Sequence, residues 1–254
     1  MNVKFLEKTF LPQKNVKLVV VDGRASDNLV NNLKHMGINI IKTPYCRELY
    51  NAISYHPDIL LHPINGKDMI VAPNVYEGLE KPLKRYGVNV IKGETVLKRN
   101  YPDNIAYNIA RVSNFAIHNF KYTDPLTLKL LEENQVELIH VKQGYSKCSI
   151  CIVNEKAIIT SDRGIAKTVE KYGIDPLVIK PGYIDLSELE YGFIGGISGL
   201  IGKNKIAFSG LLEHHPNYDE ILKFLEKYEA KPIFLENKKP IDIGSIIPIL
   251  EMAY

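Results

Sequence analysis

The 254-residue sequence predicts an α/β protein: a five-bladed α/β propeller of pseudo-fivefold ββαβ units, closed by pairing of the N- and C-terminal segments. Three observations predict it. Helix-like stretches turn and run into β-branched strands closing on Lys at "KHMGINIIKTP" (34–44), "KRYGVNVIKG" (84–93) and "EKYGIDPLVIKPG" (170–182). The starts of successive units, marked by Asp58, Asp103, Cys148, Gly192 and Asp242, are spaced 45, 45, 44 and 50 residues apart. The last unit is divided between the termini, "IDIGSIIPIL" (241–250) supplying one strand and "VKLVVVDG" (16–23) the next. Closure of the ring hides sheet edges that would otherwise invite aggregation.

Each element has a local reason. The strand at 16–23 is built on valines, which favour the extended chain. Amphipathic helices follow over Ser26 to Met36, Tyr76 to Tyr86, Asp124 to Asn134, Arg163 to Tyr172 and Pro216 to Tyr228. Asp124-Pro125 opens its helix with an N-cap and a first-turn proline. Gly37, Gly87 and Gly173 stop theirs, since glycine accepts the left-handed conformation. Two weaker copies put Asn-Gln (134–135) and Glu-Ala (229–230) at that stop. Ahead of four helices lie strand pairs: "DILLHPI" with "DMIVAP", "IAYNIARV" with "FAIHNF", "CSICIVN" with "KAIITS", and "FIGGISGLI" with "KIAFSG". The links "NGKD" (65–68), "NEK" (154–156) and "GKNK" (202–205) read as hairpin turns. The expected domain is 16–254, with 1–15 as an N-terminal arm.

Composition excludes several classes. The net charge is +3 and no basic run reaches five residues, which argues against nucleic acid as a partner. No apolar stretch reaches the roughly 18 residues of a membrane span. The N-terminal "MNVKFLEKTFLPQKN" has no signal-peptide core, and three cysteines make an odd number, so reduced thiols and a cytoplasmic location are expected. One C-x-x-C alone, Cys148 to Cys151, does not make a structural zinc site, so no metal and no cofactor are expected. The remaining partner is a small-molecule ligand, and the oligomeric state is open.

Five such units closed by the termini resemble the pentein fold. It is shared by guanidino-group-modifying enzymes and the ribosome anti-association initiation factor of archaea and eukaryotes. The strings "YNAISYHPDILLHPI", "YPDNIAYNIARVSNFAIHNFKYTDP", "VKQGYSKCSICIVNEKAIITSD", "YGFIGGISGLI" and "IDIGSIIPIL" resemble more closely an uncharacterised bacterial family assigned to that fold. The resemblance covers nearly all of 16–250. It implies a ligand funnel where the first strands of the units converge. Residues at the unit starts are then the candidates for ligand binding: His56 and His62; Asp103, Asn108 and Arg111; Lys147; Asp242 and Ser245. The resemblance also implies a nucleophilic Cys in the last unit and a His-x-Asp motif in the third. Here Ser245 stands about where that Cys is expected, and "KCSIC" (147–151) occupies the third-unit position.

The residues themselves leave Cys148, Cys151, His118 and Asp58 as the catalytic candidates. On an extended strand, residues three apart face opposite ways, so one of the two thiols faces the core and the other the funnel. Lys147 beside them favours thiolate; Cys46 is a third candidate thiol. Arg111 suits a carboxylate-bearing ligand, whereas Asp58, Asp103 and Asp242 suit a cationic one. The glycines of "GFIGGISGLIG" fit close backbone approach at a narrow axis better than phosphate binding. Two functions remain open: a small-molecule hydrolase or transferase acting on a guanidino or amino-acid-like ligand, and a non-catalytic binding module of the same fold.

Overall fold

A computed structural model describes residues 2–253. The chain begins with β1 (Val3–Phe5), β2 (Val16–Val21), α1 (Asp27–His35) and β3 (Asn39–Lys42). A short helix, α2 (Pro57–Leu60), leads into β4 (Leu61–Pro63), β5 (Asp68–Val71), α3 (Tyr76–Lys84) and β6 (Asn89–Lys92). Next come β7 (Ala110–Val112), β8 (Phe115–His118), α4 (Pro125–Glu133) and β9 (Glu137–His140). A second short helix, α5 (Ser146–Ser149), precedes β10 (Ile150–Asn154), β11 (Ala157–Thr160), α6 (Arg163–Val169) and β12 (Asp175–Val178). The chain closes with β13 (Ser198–Gly202), β14 (Lys205–Phe208), α7 (Tyr218–Lys227), β15 (Lys231–Phe234) and β16 (Ile247–Met252).

These elements form five small sheets: β4-β5-β6, β7-β8-β9, β10-β11-β12, β13-β14-β15 and β1-β16-β2-β3. Within each unit the first two strands are antiparallel and the third, arriving after the helix, runs parallel to the second. The unit shared by the termini obeys the same rule, with β16 antiparallel to β2 and β2 parallel to β3. First strands meet their neighbours around the axis, β7 against β10, β10 against β13 and β13 against β16.

Each long helix buries residues four apart, so one stripe faces its sheet. The pairs are Leu29 and Leu33, Leu79 and Leu83, Thr127 and Leu131, Ile165 and Val169, and Ile221 and Leu225. Ser26, Asp124 and Asp162 cap three helices by accepting from the backbone N–H three residues on. The helix stops Gly37, Gly87 and Gly173 have φ of 73°, 83° and 75°, and the weaker copies reach the same region with Gln135 (56°) and Glu229 (54°).

Two expectations need correction. The N-terminal arm is part of the ring: β1 pairs antiparallel with β16, and Leu6, Phe10 and Leu11 are buried. Asp58 and Cys148 lie on the helical turns α2 and α5 just ahead of their strands, not within strands. Set on these turns, the two side chains meet before the next residues enter their sheets, with Cys148 Sγ 3.3 Å from the Asp58 carboxylate.

Candidate active site

The turn at His56-Pro57-Asp58 is set by Pro57 at the first position of α2, and the Asp58 N–H donates to the Gly244 carbonyl at 3.1 Å. The Asp58 carboxylate accepts from the Ser245 hydroxyl at 2.6 Å. Cys148 Sγ lies 3.3 Å from each Asp58 oxygen. Asn108 ties the two turns together. Its Nδ2 donates to the Asp58 carbonyl at 2.9 Å and lies 3.1 Å from Cys148 Sγ, while its Oδ1 accepts from the Lys147 N–H at 2.8 Å. Behind them, Lys147 Nζ donates to Ser245 Oγ at 2.8 Å and stands 5.6 Å above the Phe10 ring. Ser245 holds a φ of 76°, an uncommon conformation for a non-glycine residue and one that concentrates at functional sites.

His56 stands between two carboxylates, its Nδ1 3.8 Å from Asp242 and its Nε2 3.8 Å from Asp22. Asp242 is fixed by the N–H groups of Phe193 (2.8 Å) and Gly244 (2.9 Å). A Cβ on Gly196 would collide with the Asp242 carboxyl, so glycine there is required by close approach.

Of these groups, His56, Cys148 and Asp242 open onto a pocket of about 300 Å³, whose other walls are Tyr50, Ile53, Tyr145, Phe193 and the loop residues Leu186, Leu189, Glu190 and Tyr191. The Tyr145 hydroxyl bonds to Asn104 (3.0 Å) and Tyr50 (3.3 Å), which fixes the aromatic wall. The electrostatics favour a cation. Burial, then the charges of Asp58 and Asp242, push the Cys148 thiol well above its ordinary range. Burial raises the Asp242 carboxyl, with His56 opposing and Asp58 adding to the shift. Burial lowers the Lys147 ammonium, against the pull of Asp58. A positive ligand in the pocket would stabilise the charged forms of both acids and of the thiol.

Of the expected site residues, the fold brings together Asp58, Cys148, Asn108, Lys147, Ser245, His56 and Asp242. Others lie elsewhere. Cys151 is fully buried in β10 opposite Ile159, and burial pushes its thiol up to about 11. Cys46 is buried with Sγ 3.6 Å from Glu48, and its thiol is also raised to about 11 by burial. Asp103 is exposed and pairs with Lys98 at 3.6 Å. His62 packs its ring against Phe10 from β4, with centroids 6.1 Å apart, and burial holds its pKa well below the usual value. Arg111 is buried in β7 and donates to the Ile64 carbonyl at 2.9 Å; burial lowers its guanidinium to about 10. Neither His62 nor Arg111 lines the pocket.

His118 is a core residue. Its Nε2–H donates to the Gly144 carbonyl at 3.0 Å, so its Nδ1 accepts from the Thr123 hydroxyl at 2.8 Å. Burial lowers its pKa from 6.5 to about 4. A depressed histidine contributes stability above its unfolded pKa and loses it as pH falls through the folded one. About 3 kcal/mol should therefore disappear between pH 6.5 and 4. Denaturant unfolding across that window should give a visibly shallower pH slope for His118→Asn than for the unmodified chain; equal slopes would contradict it.

Sequence reasoning missed Asp22, Tyr50, Tyr145, Phe193 and the wall Leu186 to Tyr191. Asp22 had a recognisable mark, a lone acid ending an apolar strand. The others come from connecting segments with no periodicity, whose position only the closed ring decides.

The architecture and this axial site place the chain in the pentein fold, as solved structures bear out. Inosamine-phosphate amidinotransferase StrB1 from Streptomyces griseus aligns with TM-score 0.61 and 9% identity over 97% of each chain. C. jejuni agmatine deiminase aligns with TM-score 0.57 and 8% identity over 98% of each chain. DDAH from Pseudomonas aeruginosa aligns with TM-score 0.55 and 11% identity over 87% of this chain and 92% of that one. Residues 20–247 match a family of unknown function (DUF6873), and the chain belongs to that family. No curated protein matches by sequence. No helix among the described residues is long and apolar enough to cross a membrane.

Proposed function

We propose that the chain is a hydrolase or transferase acting on a small planar cation, an amidinium or guanidinium group, with Cys148 as nucleophile. The observation that carries this reading is Cys148 Sγ at 3.3 Å from both Asp58 oxygens, at the base of an aromatic pocket that also holds Asp242. The ligand cation sits against the carboxylates, its plane flanked by Tyr50, Tyr145 and Phe193. Sγ bonds to the central carbon as the thiol proton passes to Asp58. The carbon–nitrogen bond breaks, and the leaving amine takes a proton from His56, the histidine of the pocket. Water in a hydrolase, or an acceptor amine in a transferase, then gives a proton to His56 as it attacks the sulfur-bound amidino carbon; the carbon–sulfur bond breaks and the departing sulfur recovers its proton from Asp58. Lys147 and Ser245 orient Asp58 from behind. Dimensions and chemistry of the pocket suit an amino-acid-sized substrate. Kinship of fold with guanidino-modifying enzymes supports the general kind of reaction, though this site departs from the pattern the resemblance implies.

The second reading, a binding module without turnover, is favoured by the surroundings of Cys148: burial and the nearby Asp58 and Asp242 push its thiol pKa up, against the nucleophilic thiolate. Two electrophiles of equal size separate the readings, cationic chloroacetamidine and neutral chloroacetamide. At neutral pH the cation should modify Cys148 alone, at least about tenfold faster than the amide, reflecting attraction of about 1.4 kcal/mol or more. Equal rates, or no adduct at Cys148 by peptide mass mapping, would sink the enzyme reading. Guanidino compounds that raise the melting temperature but are never consumed would establish the binding module.

A further inference from the structure

We propose that His56, Asp58 and Cys148 bind a divalent transition-metal ion, with zinc the ion their nitrogen, oxygen and sulfur donors fit best. One donor atom from each residue lies within 4.8 Å of the other two. The inference is independent of the enzymatic reading above.

Four features converge on it. His56 is only 1% exposed, and neither of its ring nitrogens has a hydrogen-bond partner among the described residues. Leaving a buried imidazole unsatisfied is costly, and coordination relieves that penalty at the ligating nitrogen. Each ligand also has an outer partner of the kind metal sites use. The His56 nitrogens face Asp242 and Asp22, so whichever one ligates leaves the other directed at a carboxylate. Ser245 holds Asp58, and Asn108 holds Cys148. The Cys148 to Asp58 separation of 3.3 Å suits two ligands on a tetrahedral ion with bonds of about 2.0–2.3 Å. Finally, a dication with one thiolate and one carboxylate sums to zero charge, which relieves the burial of both acids.

Binding converts the thiol to thiolate, its proton leaving to solvent. The neighbouring pocket leaves a fourth position open to water or ligand. A metal-bound Cys148 cannot attack a substrate, so the metal and a covalent ligand exclude one another at this thiol.

Cobalt(II) titration of chelator-stripped protein tests the proposal. One equivalent should produce near-ultraviolet thiolate-to-cobalt absorption together with the visible bands of a tetrahedral ion, and zinc should displace it. Cys148→Ser should abolish the thiolate band, while Cys151→Ser and Cys46→Ser keep it. His56→Ala should weaken binding at least about tenfold. Circular dichroism checks that the variants fold. Should Cys148→Ser fail to fold, zinc protection of Cys148 from chloroacetamide in the unmodified chain reads the same site. No thiolate band at millimolar cobalt, or a band that survives Cys148→Ser, overturns the metal site. Alkylation by chloroacetamidine is measured in chelator, so the enzymatic reading fails or holds separately.

Discussion

Replacing Asp58 with Asn should invert the selectivity of Cys148 between cationic and neutral electrophiles. In the native site, Asp58 contributes two opposite effects. Its charge is the largest cause after burial of the raised thiol pKa, and so suppresses thiolate. The same charge attracts a cation to a point within a few ångströms of Sγ. Two unit charges about 4 Å apart interact by about 4 kcal/mol at the effective dielectric typical of protein sites, so even half of that is a factor of about thirty. Asp58→Asn removes the attraction and also turns an acceptor into an amide that can donate to sulfur, stabilising thiolate. Chloroacetamidine should therefore react at least about tenfold more slowly, and chloroacetamide about tenfold faster. Second-order rates at neutral pH, followed by intact mass, measure both. If the two rates move in the same direction, Asp58 acts on the thiol through structure alone.

Phe10→Ala should lower unfolding free energy by about 3–5 kcal/mol. Phe10 is 3% exposed, packs against the His62 ring, and places its face 5.6 Å from Lys147 Nζ. Truncation removes a large buried ring, opens a cavity beside the axis and leaves the buried ammonium without its aromatic neighbour. Such a loss is a large part of the usual 5–15 kcal/mol of a folded domain. Denaturant midpoints with unchanged slope would report it directly. A change below about 1 kcal/mol would mean that the N-terminal segment is an appendage after all.

Part of the site was legible in the chain and part was not, and the second unit shows why. The even spacing of 45 residues put Asp103 in register with Asp58. Counting back from the observed strands gives another answer: Asp58 lies three residues before Leu61, Asn108 two before Ala110, and Cys148 two before Ile150. Repeat length reflects loops as well as blades, and the second unit spends its extra residues on a surface turn that carries Asp103 into solvent. The two cysteines were easier. Their spacing required opposite faces if extended, and the turn at α5 followed by β10 separates them, Cys148 to the pocket and Cys151 to the core.

The sequence by itself determined the number of blades, their internal order, the helix caps and stops, and the closure of the ring by its ends. Those features arise from local propensity and from hydrophobic period, which neighbouring residues carry on their own. Only the tertiary structure decided that His56 rather than His118 serves the pocket, that Ser245 backs Asp58, and that Phe10 lies beneath Lys147. Each is a meeting of side chains from different blades, and such meetings depend on how a closed ring aims its turns, which no local pattern encodes.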